Sequence, residues 1–219
     1  MKRIILFAAL ILTTITIAQT SYEVKPGSKG NQIVIQLVNI SEIENLKLIK
    51  PVLLNEISNL EFEEQSEDTI ALNPKEEKEA VYNFDVKFNA DISKVDTLEF
   101  LISDGITINQ IKKFILSYTA PTEYNLAQNY PNPFNPVTKI RYSIPTSPQS
   151  SPSQGEDVGI VTLRVYDILG SEVATLVNEQ KPAGNYEVDF NANQFSSGVY
   201  IYRIKAGDYV NSKKMILLK

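Results

Sequence analysis

The sequence contains neither cysteine nor histidine. Without cysteine there is no disulfide framework and no thiolate metal site. Without histidine the commonest general base, the usual partner of a catalytic nucleophile and the imidazole metal ligand are lost together. Long apolar runs are missing as well. The most apolar stretch, Ile4–Leu12, has 9 residues, well short of the roughly 20 that cross a bilayer as a helix. Positive charge is in deficit, with 21 Lys and Arg against 26 Asp and Glu and a net charge of −5, so nucleic acid, which is held through its phosphates, is not an expected partner. Apolar residues are not scarce: 43% of 219 residues is enough for one large or two small globular domains.

The first eighteen residues, MKRIILFAALILTTITIA, open with Lys2 and Arg3, continue through the short apolar run and end on small residues, Thr16 and Ala18. This order predicts a secretory signal peptide over 1–18, cut between Ala18 and Gln19. Cutting there leaves 201 residues and moves the net charge to −7. The expected route begins at the inner-membrane Sec machinery, and the absence of cysteine is compatible with export.

From Tyr22 to about Tyr118 the dominant period is two. In NQIVIQLVN, Ile33, Ile35 and Leu37 share one face while Val34, Gln36 and Val38 share the other, the pattern of a strand in a sandwich core. AVYNFDVKF repeats it with Tyr82, Phe84, Val86 and Phe88, TLEFLIS fits, and KKFILSY fits less cleanly. Pro26-Gly27 and Asp104-Gly105 mark turns. Between them lies an acidic stretch in which Glu63, Glu64, Glu67 and Asp68 are the carboxylates a calcium ion would draw on. No D-x-D-x-D-G loop is present and no glycine supplies the sharp turn, so solvated loops around an exposed strand at Thr69–Leu72 are expected and no metal or cofactor is assigned. Ser41 followed by Glu44 has capping-box spacing and predicts a single helical turn.

YPNPFNP, Tyr130–Pro136, can be neither helix nor central strand, because each proline lacks a donor and constrains the residue before it. Beyond it the alternation sharpens. Ile140, Tyr142 and Ile144 face one way in TKIRYSIP, and Val161, Leu163 and Val165 do so in IVTLRVYD. EVATLV, YEVDF and VYIYRIKA follow. Gly170 sits where positive φ is needed, Gly207-Asp208 reads as a hairpin turn with glycine first, and Thr146–Gly159 reads as a polar loop. The fold class expected is all-β. Two small immunoglobulin-like β-sandwiches are expected at 19–118 and 137–219, with 119–136 as linker.

The residues of the second half carry a family resemblance. LAQNYPNPFNPVTKIRYSIP, VTLRVYDILGSEVATLVNEQKPAGNYEVDF and SSGVYIYRIKAGDYVNSKKMILLK, together Leu126–Lys219, resemble the C-terminal sorting domain of the type IX (Por) secretion system, type A, found in Bacteroidota. The insertion Ser147–Val158 departs from the shortest members. The resemblance implies recognition of this domain by the outer-membrane type IX translocon, then removal by a surface sortase, with the cargo attached to anionic lipopolysaccharide or released. The chain is then secreted or held at the cell surface after passing the periplasm. The positions carrying the motifs, and so the expected recognition residues, are Tyr130, Pro131, Asn132, Pro133, Phe134, Gly170, Gly184, Gly198, Lys213, Lys214 and Lys219. Flagellar hook-capping proteins share the fold, but the N-terminal leader argues against that route.

The cargo that the resemblance implies, Gln19–Tyr118, has the wrong residues for most chemistry. A carboxylate pair in a cleft would suit glycoside hydrolysis, but no two of its glutamates can be placed in one. No catalytic residue is expected, and the cargo is read as a non-enzymatic binding or structural module. The alternatives are a small hydrolase, which would show converging carboxylates in a pocket, and an envelope assembly component, which would show a large apolar patch.

Overall fold

The computed structural model describes residues 3–10, 21–63, 69–106, 108–146 and 160–219. These residues form strands, turns and loops with no helix among them, and the chain divides into two compact units at Thr119/Ala120. All but the first residue of the expected linker 119–136 therefore belongs to the second unit. The predicted cut at Ala18/Gln19 lies outside the described residues, as do Glu64, Glu67, Asp68 and the insertion from Ser147 to Val158.

The first unit contains β1 (Arg3–Leu10), β2 (Ser21–Val24), β3 (Asn31–Asn39), β4 (Leu46–Leu53), β5 (Leu60–Phe62), β6 (Ile70–Leu72), β7 (Glu77–Val86), β8 (Asp96–Ser103) and β9 (Asn109–Tyr118). They make two sheets, ordered β1-β3-β7-β5 and β2-β9-β8-β4-β6. The period-two pattern decides which faces meet. Ile33, Ile35, Leu37, Phe84 and Val86 of one sheet pack with Leu98, Phe100, Ile102, Phe114 and Leu116 of the other in a single core. Each such side chain contributes about 1.5–3 kcal/mol on burial. Tyr82 meets Phe100 edge to face at 4.7 Å, and its hydroxyl, pushed up to about 12 by burial, donates to the Pro51 carbonyl. Aromatic pairs in this arrangement add to the area term.

Arg3–Leu10, which lies in the expected leader, forms edge strand β1, parallel to β3 with Ile4 opposite Ile33. Two local outcomes differ from the sequence reading. Ser41 does cap, its Oγ accepting the N–H groups of Ile43 (3.3 Å) and Glu44 (2.9 Å), but no helical turn follows. Leu46 and Ile49 instead carry the chain into the core as β4. The strand at Ile70–Leu72 is half buried, with Leu72 only 1% exposed, because it pairs with β4.

The second unit contains β10 (Asn125–Leu126), β11 (Val137–Ile144), β12 (Ile160–Tyr166), β13 (Glu172–Gln180), β14 (Gly184–Asn191), β15 (Gly198–Ala206) and β16 (Tyr209–Leu217). Its sheets are β10-β11-β14 and β13-β12-β15-β16. Ile140, Tyr142 and Phe190 of the first pack with Val161, Leu163, Val165, Tyr202, Ile204, Met215 and Leu217 of the second. Gly207 turns β15 into β16 at φ +57, the left-handed conformation that the glycine-first hairpin needs. Both units are thus immunoglobulin-like β-sandwiches, as the alternation predicts.

Candidate functional site

YPNPFNP does not stand away from the second sandwich. It closes one end of it. Phe134 is buried against Phe190, with ring centroids 6.0 Å apart, and its backbone continues the sheet beyond β16. Phe134 N–H donates to the Ile216 carbonyl and Leu218 N–H donates to the Phe134 carbonyl, both at 3.0 Å. Asn132 adds its side chain, with Oδ1 accepting Ile216 N–H at 3.0 Å. Gln128 Nε2 reaches the Lys214 carbonyl at 2.7 Å. The edge of the terminal strand from Lys214 to Leu218 is therefore already covered by the chain itself. The prolines fit because the residues between them supply the donors and acceptors that the ladder needs.

Beneath this segment lies a polar network that sequence reasoning missed. Tyr202 is fully buried, and its hydroxyl accepts Asn129 N–H and donates to the Ala127 carbonyl, each at 2.8 Å. Burial pushes that phenol up to about 12. The Asn129 side chain, also buried, donates to Thr138 Oγ1 (2.9 Å) and to the Pro131 carbonyl (3.0 Å), and Thr138 Oγ1 donates to the same carbonyl at 2.8 Å. A sequence signal for it existed. Thr138 has the parity of Ile140, Tyr142 and Ile144, so a polar side chain occupied an inward position and needed an inward partner.

The structure places the expected recognition residues unevenly. Tyr130 is 81% exposed while its backbone exchanges two hydrogen bonds with Lys139, both 3.0 Å. Pro131, Asn132 and Pro133 are exposed and Phe134 is buried. Gly198 lies opposite Leu217 and so at the same end. There Lys219 is tied down, its N–H to Ser197 Oγ (3.0 Å) and its Nζ to the Asn193 carbonyl (2.7 Å). Gly170, at φ +87, belongs to the turn after β12, where Asp167 Oδ1 accepts the N–H groups of Leu169 and Ser171 at 2.9 Å. That turn leaves Ile168 and Leu169 exposed. Lys213 and Lys214 fall on opposite faces of β16, Lys213 with the parity of buried Met215 and Leu217. Leu218 lies past the strand and is exposed, and in β16 Met215 and Leu217 form the buried face. Gly184 stands at the far end of its sheet, opposite Ile144.

On the solvent face of β11 and β14, Lys139 Nζ pairs with Glu187 (2.6 Å) and Asp189 (3.2 Å), and Arg141 Nε pairs with Glu187 (2.7 Å). The Lys139 ammonium beside it holds the Glu187 carboxyl below the usual carboxylate range, with Arg141 adding to the effect.

In the first unit Glu63 Oε2 accepts from Asn83 Nδ2 at 2.8 Å. Among the described residues no group of acidic side chains is arranged to hold a metal ion. Asp96 accepts from Tyr118 Oη (2.5 Å) and Asn59 Nδ2 (3.0 Å), a network that fastens β8 to β9. A groove of about 750 Å³ runs along Leu53–Leu60 and is lined by Leu53, Leu54, Ile57, Leu60 and Phe62 together with Asn55, Glu56, Ser58 and Lys87.

Comparison with known proteins identifies the second unit. Residues 128–218 match the family described as the secretion system C-terminal sorting domain. No curated protein matches the chain. Among solved structures, domains 4 and 5 of the S-layer protein SbsC align at 9% identity and a TM-score of 0.30, covering 75% of this chain and 100% of that one. Dimeric latent PorU from Porphyromonas gingivalis aligns at 15% identity and a TM-score of 0.31, covering 95% of this chain and 20% of that one. The titin I-band fragment I67–I69 aligns at 10% and 0.26, covering 90% and 62%. At these identities and scores no functional property transfers.

Proposed function

We infer the function from one premise: residues 128–218 are a type IX secretion C-terminal sorting domain, so the chain is exported through the outer membrane to the cell surface or the medium. The end of the sandwich formed by Tyr130–Phe134, Gly198 and the terminal strand is the part that the translocon reads. Buried anchors, Phe134 and Tyr202, hold exposed ones, Tyr130 and Asn132, in a fixed arrangement, and a receptor can recognise a surface that is rigid before it arrives. The Asp167–Ser171 turn, with Gly170, belongs to the same reading.

A leader ending at Ala18 is removed on passage through the Sec machinery, and a surface sortase then separates the sorting domain from its cargo. The exposed stretch around Thr122–Tyr124, at the start of the second unit, is the accessible place for that cut. The cargo is then attached to anionic lipopolysaccharide or released. It is a binding or structural module rather than an enzyme. The buried polar side chains described in it are Asn31, Asn39 and Asn59, not carboxylates, and its Leu53–Leu60 groove, with a mixed polar and apolar lining, is suited to contact rather than to proton transfer.

The family match over 128–218 carries this reading. Intact mass of the protein recovered from the surface and medium of its host tests it. The expected species begins at Gln19 and ends near residue 120. A surface species running to Lys219 rules out sortase removal, and one that begins at Met1 rules out the leader.

A further inference from the structure

The outer face of the β13-β12-β15-β16 sheet concentrates positive charge in a chain that is acidic overall. Alternation with the buried Val161, Leu163 and Val165 puts Thr162, Arg164 and Tyr166 on this face. Alternation with Tyr202, Ile204 and Ala206 puts Ile201, Arg203 and Lys205 beside them. A shallow groove of about 420 Å³ is lined by Ile160, Thr162, Arg164, Tyr166, Arg203 and Lys205. None of these residues is among the expected recognition residues named above, although Tyr166 adjoins the turn that carries Gly170.

The register makes the charge arrangement costly. Arg164 on β12 and Arg203 on β15 are direct cross-strand partners, and like charges so placed, with Cβ atoms about 4.5–5.5 Å apart, destabilise a sheet. Lys205 follows two residues on, on the same face. Among the described residues the one carboxylate that pairs here is Glu172, at 3.1 Å from Arg164 Nη1, and the buried Arg164 Nε has no hydrogen-bond partner. Arg203 is held in place without being neutralised: its Nε donates to Ser212 Oγ at 3.1 Å and its guanidinium lies 5.4 Å over the Tyr166 ring. Lys205 makes no ion pair among the described residues.

Three cations and one carboxylate leave the groove with a surplus of two positive charges. A single carboxylate would not cancel that surplus, whereas a phosphate monoester, at about −1.5 to −2 near neutral pH, does. Guanidinium groups present paired N–H donors that match phosphate oxygens, and an ammonium adds a point charge. We propose that this groove binds a phosphate monoester, seated between Arg164 and Arg203 with Lys205 at its rim and Tyr166 as its floor. The ligand completes the sheet's electrostatics, pairing with the exposed guanidinium N–H groups and relieving the opposition of the two arginines. This site does not depend on the export reading, since its evidence is the charge and register of one sheet face.

The test is titration of the full-length protein with inorganic phosphate, followed by calorimetry and by the Nε–Hε NMR signals of the arginines. Saturable binding that moves the Arg164 and Arg203 signals and weakens at least tenfold in Arg203→Gln supports the site. The same variant relieves the cross-strand opposition, so it melts at or above the parent temperature, which separates lost binding from lost folding. If Arg203→Gln is destabilised, Arg203→Lys keeps the charge but not the fork and is expected to bind several-fold more weakly than the parent. A second arm adds vesicles containing phosphatidic acid. Co-sedimentation that inorganic phosphate competes away assigns the phosphate to a lipid headgroup, and its absence alongside phosphate binding assigns it to a soluble ester. No saturable phosphate binding, or binding unchanged in both arginine variants, overturns the proposal.

Discussion

Replacing Tyr202 by phenylalanine removes one oxygen atom from the centre of the second sandwich. That oxygen serves one buried and one partly buried backbone group, accepting from Asn129 N–H and donating to the Ala127 carbonyl, each at 2.8 Å. Tyr202 is fully buried and Asn129 is 2% exposed, so water does not replace the partner lost by the Asn129 N–H. Each unsatisfied group costs about 1–3 kcal/mol. A total of roughly 2–4 kcal/mol follows, with the carbonyl, which tolerates a lost partner better, at the lower end. The unit spans Ala120–Lys219, and for a domain of this size each kcal/mol moves the melting midpoint by about 4–8 °C. The expected fall in Tm is therefore about 10–25 °C, read as the unfolding transition of the second unit by calorimetry. Tyr130→Phe is the matched control: the same atom is deleted at a side chain that is 81% exposed, and the expected change is within about 0.5 kcal/mol. If Tyr202→Phe shifts the transition no more than Tyr130→Phe does, the hydroxyl is not the link between the Ala127–Tyr130 segment and β15, and the rigidity argued for the recognition end falls with it.

Three further predictions concern other parts of the molecule. Phe134→Ala removes a ring that is 2% exposed and packed on Phe190, so it costs about 3–5 kcal/mol and releases the terminal strand, which is checked by amide exchange at Ile216 and Leu218. Glu187 has its pKa lowered in the folded state, so its contribution is present above the unfolded value of about 4.3 and is lost as the pH falls through the folded value. Comparing acid unfolding of Glu187→Gln and parent should show a difference at pH 6 that shrinks as the pH falls below the unfolded value and through the folded one, and a difference independent of pH would reject the pairing with Lys139 and Arg141 as its source. Protein starting at Gln19 loses β1 but keeps both sheets' inner faces from Ile33 to Leu116, so it should still unfold cooperatively. A molten first unit in that protein would show that Arg3–Leu10 is part of the mature fold and not a leader.

The strands were legible in the sequence because alternation is a local property. Ile33, Ile35 and Leu37, or Val161, Leu163 and Val165, announce a buried face without help from the rest of the chain, and Gly207 announces its turn. Long-range pairing was not legible. Asn132 and Ile216 are 84 positions apart, so the proline segment, judged on its own, looked like a linker. Only the partner strand reveals that Asn132 and Phe134 supply the hydrogen-bonding groups which the prolines between them lack. The Ser41 cap was readable and its helix was not, because burial of Leu46 and Ile49 outweighs one turn of helix. β1 has the composition of a leader and the pairing of a strand, and an apolar octapeptide beside an open edge satisfies both descriptions. The opposed arginines of β12 and β15 could not be seen at all before the register was known.

The most direct test of the account is to locate the unaltered protein in its native host and in a host whose type IX translocon has been disabled. The account predicts protein on the surface or in the medium of the first, and leaderless protein that runs to Lys219 and is held in the periplasm of the second. Equal export from both hosts would contradict it, because the domain at 128–218 would then not be the address by which this chain leaves the cell.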